Sequence, residues 1–374
     1  MSDGEAPANS TGVPDLIGPA LTLPEQLVQA LDEQCRILAE TAAVAERFGV
    51  QRSRIDALVS AGLTSLSVPQ EFGGQGLPPA LAREVTERVA GACGTTWFVL
   101  TQHRSALDAV LTTTNPVLIE TWRRDVAQTR ALGAVAFAHL RRSGPPQVVA
   151  EPTTDGWEIT GELDWVTGWS VADVLALMCR TADGRVVEAL ITANPRPGMK
   201  VSAPLSLMAM GGTQTVAITL DRLRVTHDEV AHVRQWSQWC HLDNRRTVNT
   251  PPAVFGVLRS VVGALARIGM RRESDATSDL AQQYATRVRE LRTQAYDLMD
   301  HHDPDELHGE RLAIRAQALE TLQQASAALV AATGGSAMSM DRPEQRWARE
   351  SLFLLVQAQT ADLREQLIKD WSLA

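Results

Sequence analysis

Trp165 and Thr167 stand two residues apart in the run Gly-Glu-Leu-Asp-Trp-Val-Thr-Gly-Trp-Ser-Val-Ala-Asp, residues 161–173. On a β-strand that spacing turns both side chains to one side. An indole plane there can lie against a flat aromatic ligand while the hydroxyl meets a ring heteroatom, a wall suited to a flavin ring. A strand tryptophan more often fills a core, so the reading rests on what flanks it. Two histidines have side chains suited to proton transfer near neutral pH. His103 ends Trp-Phe-Val-Leu-Thr-Gln-His, residues 97–103, and His139 sits in Ala-Phe-Ala-His-Leu-Arg-Arg-Ser-Gly, residues 136–144. The competing assignment for each is a structural imidazole. Arg141 and Arg142 offer cations to a phosphate or carboxylate, but neighbours on a strand point apart, so at most one faces a cleft. Trp236, Trp239 and His241 read as packing. His301, His302, Asp303 and His308 surround Pro304 and read as a solvated loop, not a metal site.

Three blocks must position these residues. From Glu25 to about Thr129 apolar residues recur at helical spacing, as in Leu27, Leu31, Cys35 and Leu38. From about Leu132 to Val230 short apolar runs alternate with turn residues, Asp155-Gly156 and Asp183-Gly184 among them. Helical spacing returns in Pro252–Met270, Leu280–Met299, Asp305–Thr333 and Pro343–Trp371, with Gly334-Gly335 as a stop. The expected units are a flexible tail 1–20, a helical domain 21–130, a β domain 131–232 and a four-helix bundle 233–374. The chain has 374 residues, 44% hydrophobic and 21% charged, with a formal net charge of −9. That balance argues against nucleic acid or an anionic membrane as main partner. Cys35, Cys93, Cys179 and Cys240 are scattered, as in a reducing, cytoplasmic setting, and make no metal motif. The tail has no signal-peptide pattern, and no apolar run suggests a membrane span.

Local motifs fall in order along this layout. They are Ala61-Gly62-Leu63 followed by Val68-Pro69-Gln70-Glu71-Phe72-Gly73-Gly74-Gln75-Gly76-Leu77, then Trp165-Val166-Thr167 with Ala172-Asp173. Gly211-Gly212-Thr213 with Leu223-Arg224-Val225 follow, and then Gly334-Gly335 with Pro343-Glu344-Gln345-Arg346 and Arg349-Glu350. Over about residues 25–370 the chain thereby resembles the acyl-CoA dehydrogenase superfamily. The resemblance implies an α+β, acyl-CoA dehydrogenase-like fold: an N-terminal helical domain, a central antiparallel β-barrel or sandwich, and a C-terminal four-helix bundle. It implies FAD, with Trp165 stacked on the ring, Thr167 at its N5 edge, and Phe137 and Ser143 on the loop at the pyrimidine edge. Arg271 would reach a neighbouring subunit's pyrophosphate. It further implies a homodimer or homotetramer and a small acyl substrate linked to CoA or a carrier.

The usual chemistry takes the α-proton of a thioester with a Glu and passes a hydride to the flavin. Where the family has Glu-Gly-Thr this chain has Ala358-Gln359-Thr360, and a methyl group cannot take a proton. The other region used for a base, residues 249–256, has no acid, and Asp243 is assigned to a surface pairing with Arg245 or Arg246. The family's Arg-x-x-Phe-Gly turn reads Arg271-Arg272-Glu273-Ser274, and a Gln before the Gly-Gly is Ala331. The expected function is a divergent FAD-dependent oxidoreductase acting on an acyl thioester or related metabolite, with His103 or His139 handling protons. Three alternatives stand beside it: a flavin-dependent monooxygenase, a non-catalytic partner of a second dehydrogenase-like chain, and a flavin-free protein on the same fold.

Overall fold

A computed structural model describes residues 15–372. The N-terminal block contains α1 (Glu25–Phe48), α2 (Arg52–Ser60), α3 (Pro79–Ala92), α4 (Gly94–Thr112), α5 (Pro116–Leu118) and α6 (Arg124–Ala127). A π-helical turn at Ile119–Arg123 joins the last two. α1 buries Leu31, Leu38 and Ala42, one stripe of an amphipathic helix. Part of the expected tail is held down. Leu16 and Gly18 offer carbonyls to Arg289 and Arg292 at 2.6 and 2.9 Å, and Asp15 pairs with Arg259.

The β domain comprises β1 (Gly133–Ala136), β2 (Val148–Thr153), β3 (Gly156–Val166), β4 (Val174–Arg180), β5 (Arg185–Thr192), β6 (Met199–Val201), β7 (Val216–Thr226) and β8 (Val230–Gln235). Their order is β6-β7-β3-β2-β4-β5-β8, with β1 beside β4. Most pairs are antiparallel, but β1 runs parallel to β4, and β2 meets β4 in parallel at Val149 and Arg180. The expectation of a purely antiparallel unit is therefore corrected to a mixed sheet. The physical reason lies in β4, which is apolar on both faces, as a strand covered from both sides must be. Leu175, Leu177 and Cys179 enter the core between strands. Val174, Ala176 and Met178 pack with Ala106, Val110 and Trp239 from flanking helices.

The C-terminal block holds α7 (Trp236–Thr247), α8 (Pro252–Arg271), α9 (Asp275–His301), α10 (His308–Thr333), α11 (Pro343–Val356) and α12 (Ala361–Asp370). The single helix expected over 343–371 is two. The chain breaks at Ala358, whose φ is +48°, and restarts where the Thr360 hydroxyl accepts the Leu363 amide. α8 lies at the centre of the bundle. The stretch Trp236–Arg271 is long and apolar enough to cross a membrane, contrary to the sequence expectation, and 72% of its apolar window is buried inside the fold. α8 meets α3 backbone to backbone: a Cβ at Gly256 would lie 1.9 Å from the Glu87 carbonyl oxygen. Glu87 itself is buried against Arg292 at 2.9 Å and accepts the Tyr296 hydroxyl at 2.8 Å.

α11 also buries Glu350, 1% exposed, beside Gly94 at the start of α4. Neither carboxyl oxygen has a hydrogen-bond partner within the described residues, and Arg346 stands 3.7 Å away. Burial pushes the carboxyl up to about 7, with Arg346 opposing. The folded state then binds a proton that the unfolded chain releases near pH 4.5, so this group's contribution falls as pH rises from about 4.5 to about 7. Glu350→Gln removes the ionised form. Denaturant titration is expected to find the variant more stable than wild type at pH 8 by about 1–3 kcal/mol and equal to it near pH 4. A variant no more stable at pH 8 would refute the assignment.

Candidate functional site

The end of β3 delivers Trp165 to the surface. At 49% exposure it is the most exposed of the nine tryptophans. Thr167 does not stand free beside it. β3 ends at Val166 after a register shift against β7 between Leu163 and Val166. Thr167 is buried, and its hydroxyl lies 3.0 Å from that of Thr215. The expectation of two free groups on one face is corrected to an open indole beside a bonded hydroxyl.

The 137–144 segment folds as a short helical turn, Ala138–Arg141, and its two arginines part company. Arg142 turns outward to Asp164, the residue before Trp165. Ser143 is exposed beside it. Arg141 turns inward, over the Phe137 ring at 4.8 Å, and makes a two-pronged pair with Asp243 at 2.7 Å per bond. Phe137 stands 6.4 Å from Trp239. Asp243 is thus not paired with its sequence neighbours. Arg245 goes to Asp303 and Asp305, and Arg246 to Asp108. The signal was present in the sequence, because Trp239, Asp243 and Thr247 recur every four residues and form the buried stripe of α7.

From Asp243 the contacts continue to the hinge between α11 and α12. The Thr247 hydroxyl donates to the Asp243 carbonyl at 2.9 Å, and the Thr247 carbonyl accepts from Arg315 on α10. The other amino group of Arg315 donates to the carbonyls of Gln357 and Ala358, each at 3.1 Å. Arg315 is 2% exposed and has no carboxylate partner among the described residues. Burial, with Arg141 adding repulsion, brings its guanidinium down to about 10. The position that carries a methyl, Ala358, therefore rests on a buried cation. Sequence reasoning passed over Arg315 and over the role of Arg141 in holding Asp243.

His103 is corrected to a structural joint. Its Nε2 lies 3.0 Å from the Val126 carbonyl, and its Nδ1 accepts the Gly133 amide at 3.0 Å. Both nitrogens are engaged by main chain, and burial holds the ring down to about 4, neutral at pH 7. His139 is also buried and brought down to about 4 by burial, with the Met178 carbonyl on one nitrogen. Its Nε2 has no partner among the described residues. It sits one turn from Arg142 and offers a lone pair, not a proton, at neutral pH. Arg271 lies apart from these residues: with Arg267, Arg342 and Glu344 it lines a cavity of about 570 Å³ between α8 and α11. Arg272 donates to the Ala332 and Thr333 carbonyls at the end of α10.

Comparison with known proteins places this geometry. Residues 22–129 match the family model described as "Acyl-CoA dehydrogenase, N-terminal domain". The chain is 28% identical over 178 residues to the probable acyl-CoA dehydrogenase YngJ of Bacillus subtilis (strain 168), covering 44% of this chain and 45% of the relative. It is 26% identical over 216 residues to the probable FMNH2-dependent monooxygenase SfnC of Pseudomonas putida, covering 57% and 53%. The matches thus span about half the length of these curated relatives. The fold superposes on glutaryl-coenzyme A dehydrogenase in its glutaryl-CoA complex with a TM-score of 0.80 at 17% identity, over 93% of this chain and 95% of that one.

An indole exposed to this extent does little for folding. Trp165→Ala is expected to shift unfolding free energy by no more than about 0.5 kcal/mol. Thr167→Val, which breaks a buried hydroxyl contact, should cost about 1–2 kcal/mol. Chemical denaturation of both variants checks the contrast, and a large loss on removing Trp165 would make it a packing residue instead.

Proposed function

We propose, on the premise that this chain belongs to the acyl-CoA dehydrogenase superfamily, that it is a flavin-dependent oxidoreductase without a carboxylate base on its last hinge. The observation that carries this reading is the uncovered indole of Trp165 at the end of a rigid strand, two residues before Thr167 and its buried hydroxyl line. A ring stacked on that plane buries apolar area on both partners, and the strand fixes its orientation. The residues present fit the ring portion of a flavin. Toward an adenine end they supply less, since Arg272 is occupied by carbonyls and no Phe-Gly turn follows Arg271. When bound, the flavin supplies two-electron transfer.

The chain's own residues then set what else can happen. Ala358 can neither take nor give a proton. Arg315 beneath it and Arg141 beside Phe137 make that side of the site positive, with Asp243 balancing one of the two charges. An acyl carbonyl or carboxylate facing that side is held by charge without being deprotonated at carbon. The reading includes a small substrate, CoA- or carrier-linked, a cytoplasmic setting, and assembly as a homodimer or homotetramer.

A second reading, oxygen insertion by a flavin-dependent monooxygenase, is favoured by the methyl at Ala358, because that chemistry needs no base at the substrate α-carbon. The similarity to SfnC supports it as well.

Purified protein loaded with FMN or FAD is expected to show flavin absorbance that is lost in Trp165→Ala. Mixed anaerobically with butyryl-CoA or octanoyl-CoA, the loaded wild type should keep its flavin oxidised. Ala358→Glu should raise any bleaching rate by about 100-fold, the ordinary worth of a placed general base. Rapid bleaching of the wild type would overturn the claim that no carboxylate base is present, and failure to take up either flavin would overturn the cofactor assignment.

A further inference from the structure

Thr167 belongs to a line of hydroxyls whose direction can be worked out from one end. The Thr213 hydroxyl lies 2.7 Å from the Met210 carbonyl oxygen. A carbonyl has no hydrogen to give, so Thr213 donates. A hydroxyl has one hydrogen. In the next contact, 2.8 Å from Thr215 to Thr213, the hydrogen must then come from Thr215. In the one after, 3.0 Å from Thr167 to Thr215, it must come from Thr167. All three side chains are buried, Thr167 at 4%, Thr213 at 1% and Thr215 at 3% exposure, so water does not compete for these contacts.

The far end of the line is held rigidly. Met210 and Gln214 flank the turn Gly211–Thr213 with φ of +60° and +50°, a left-handed backbone that costs energy outside glycine. The Gly168 amide, next to Thr167, donates to the Thr213 carbonyl at 2.9 Å and ties the two ends of the line together. Gly212 lies so close to α1 that a Cβ there would sit 1.9 Å from the Ala45 carbonyl oxygen. This packing fixes the turn that carries the acceptor carbonyl of Met210, which the Thr213 amide also meets at 3.0 Å.

We infer that the relay Thr167→Thr215→Thr213→Met210 leaves Thr167 with lone pairs only, so that the Trp165 site selects a ring carrying an N–H over one carrying a bare nitrogen. For a flavin with its N5 edge at Thr167 the distinction is one of oxidation state. Oxidised N5 has a lone pair and no hydrogen, and faces the Thr167 oxygen as acceptor against acceptor. Reduced N5 carries a hydrogen and donates to it. The site is thereby biased toward the reduced cofactor, and Thr215 acts as a positioning residue through Thr167. This inference rests on the flavin reading above and sharpens it.

The test is a comparison of binding, not turnover. Dissociation constants for oxidised FMN and for dithionite-reduced FMN are measured anaerobically by fluorescence and ultrafiltration, together with the midpoint potential of the bound flavin. Wild type is expected to hold the reduced form at least about tenfold tighter, which raises the bound midpoint by about 30 mV over free FMN for a two-electron couple. Thr215→Val frees the Thr167 hydrogen to point at N5, and the ratio should fall to about one or invert. Thr215→Ser keeps the relay and should keep the preference, which separates hydrogen-bond direction from packing. Equal binding of both forms by wild type, or a ratio unmoved in a folded Thr215→Val variant, overturns the inference while leaving the flavin site standing. If Thr215→Val does not fold, the wild-type ratio and its retention in Thr215→Ser still decide. Binding of neither form overturns the flavin reading, and the inference falls with it.

Discussion

A guanidinium buried with no counter-ion among the described residues organises the hinge between α11 and α12. Taking Arg315 out of water is costly, and what offsets the cost is main-chain carbonyl: Thr247 from α7, Gln357 and Ala358 from the hinge. Each of those carbonyls lies at or near a helix C-terminus, where carbonyls lack intrahelical partners and the helix dipole is negative. One side chain on α10 therefore fixes where α7 ends and where α11 gives way to α12. The left-handed backbone at Ala358 is the local consequence, since both carbonyls must turn toward one amino group.

The same constraint reaches the β domain. Arg315 holds Thr247, Thr247 holds the α7 turn that carries Asp243, and Asp243 holds Arg141 in two bonds. Arg141 lies over Phe137, and its neighbour Arg142 pairs with Asp164 just ahead of Trp165. Short contacts and sequence neighbours thus connect the last hinge of the chain to the exposed indole. None of them is a proton-transfer pair. The histidines stand outside this line, His103 locked between the Val126 carbonyl of α6 and the Gly133 amide of β1, and His139 on the Met178 carbonyl of β4, both kept neutral by burial.

Much of this fold was legible because periodicity reports burial. The helical blocks and the β unit between them followed from apolar spacing. What failed did so for identifiable physical reasons. The break at Ala358 leaves no mark in composition, since Ala and Gln are good helix formers and the bend is imposed by a residue some forty positions away in α10. Thr167 was misjudged as a free group because strand alternation does not report Thr215, whose hydroxyl takes up its own. Asp243 was assigned to its nearest cations in sequence, although the four-residue stripe it shares with Trp239 and Thr247 pointed inward. Trp165 is exposed at the end of its strand, a position that two-residue spacing alone does not give.

Two features that sequence alone presented as deficits become consistent once placed together. Loss of a carboxylate at Ala358 removes the group that would pull a proton from carbon. A positive floor and an acceptor-only hydroxyl remain. On the proposed flavin reading, such a site lacks both a base at the substrate carbon and a donor to a bare ring nitrogen, and the direction of the three hydroxyl bonds favours the reduced ring.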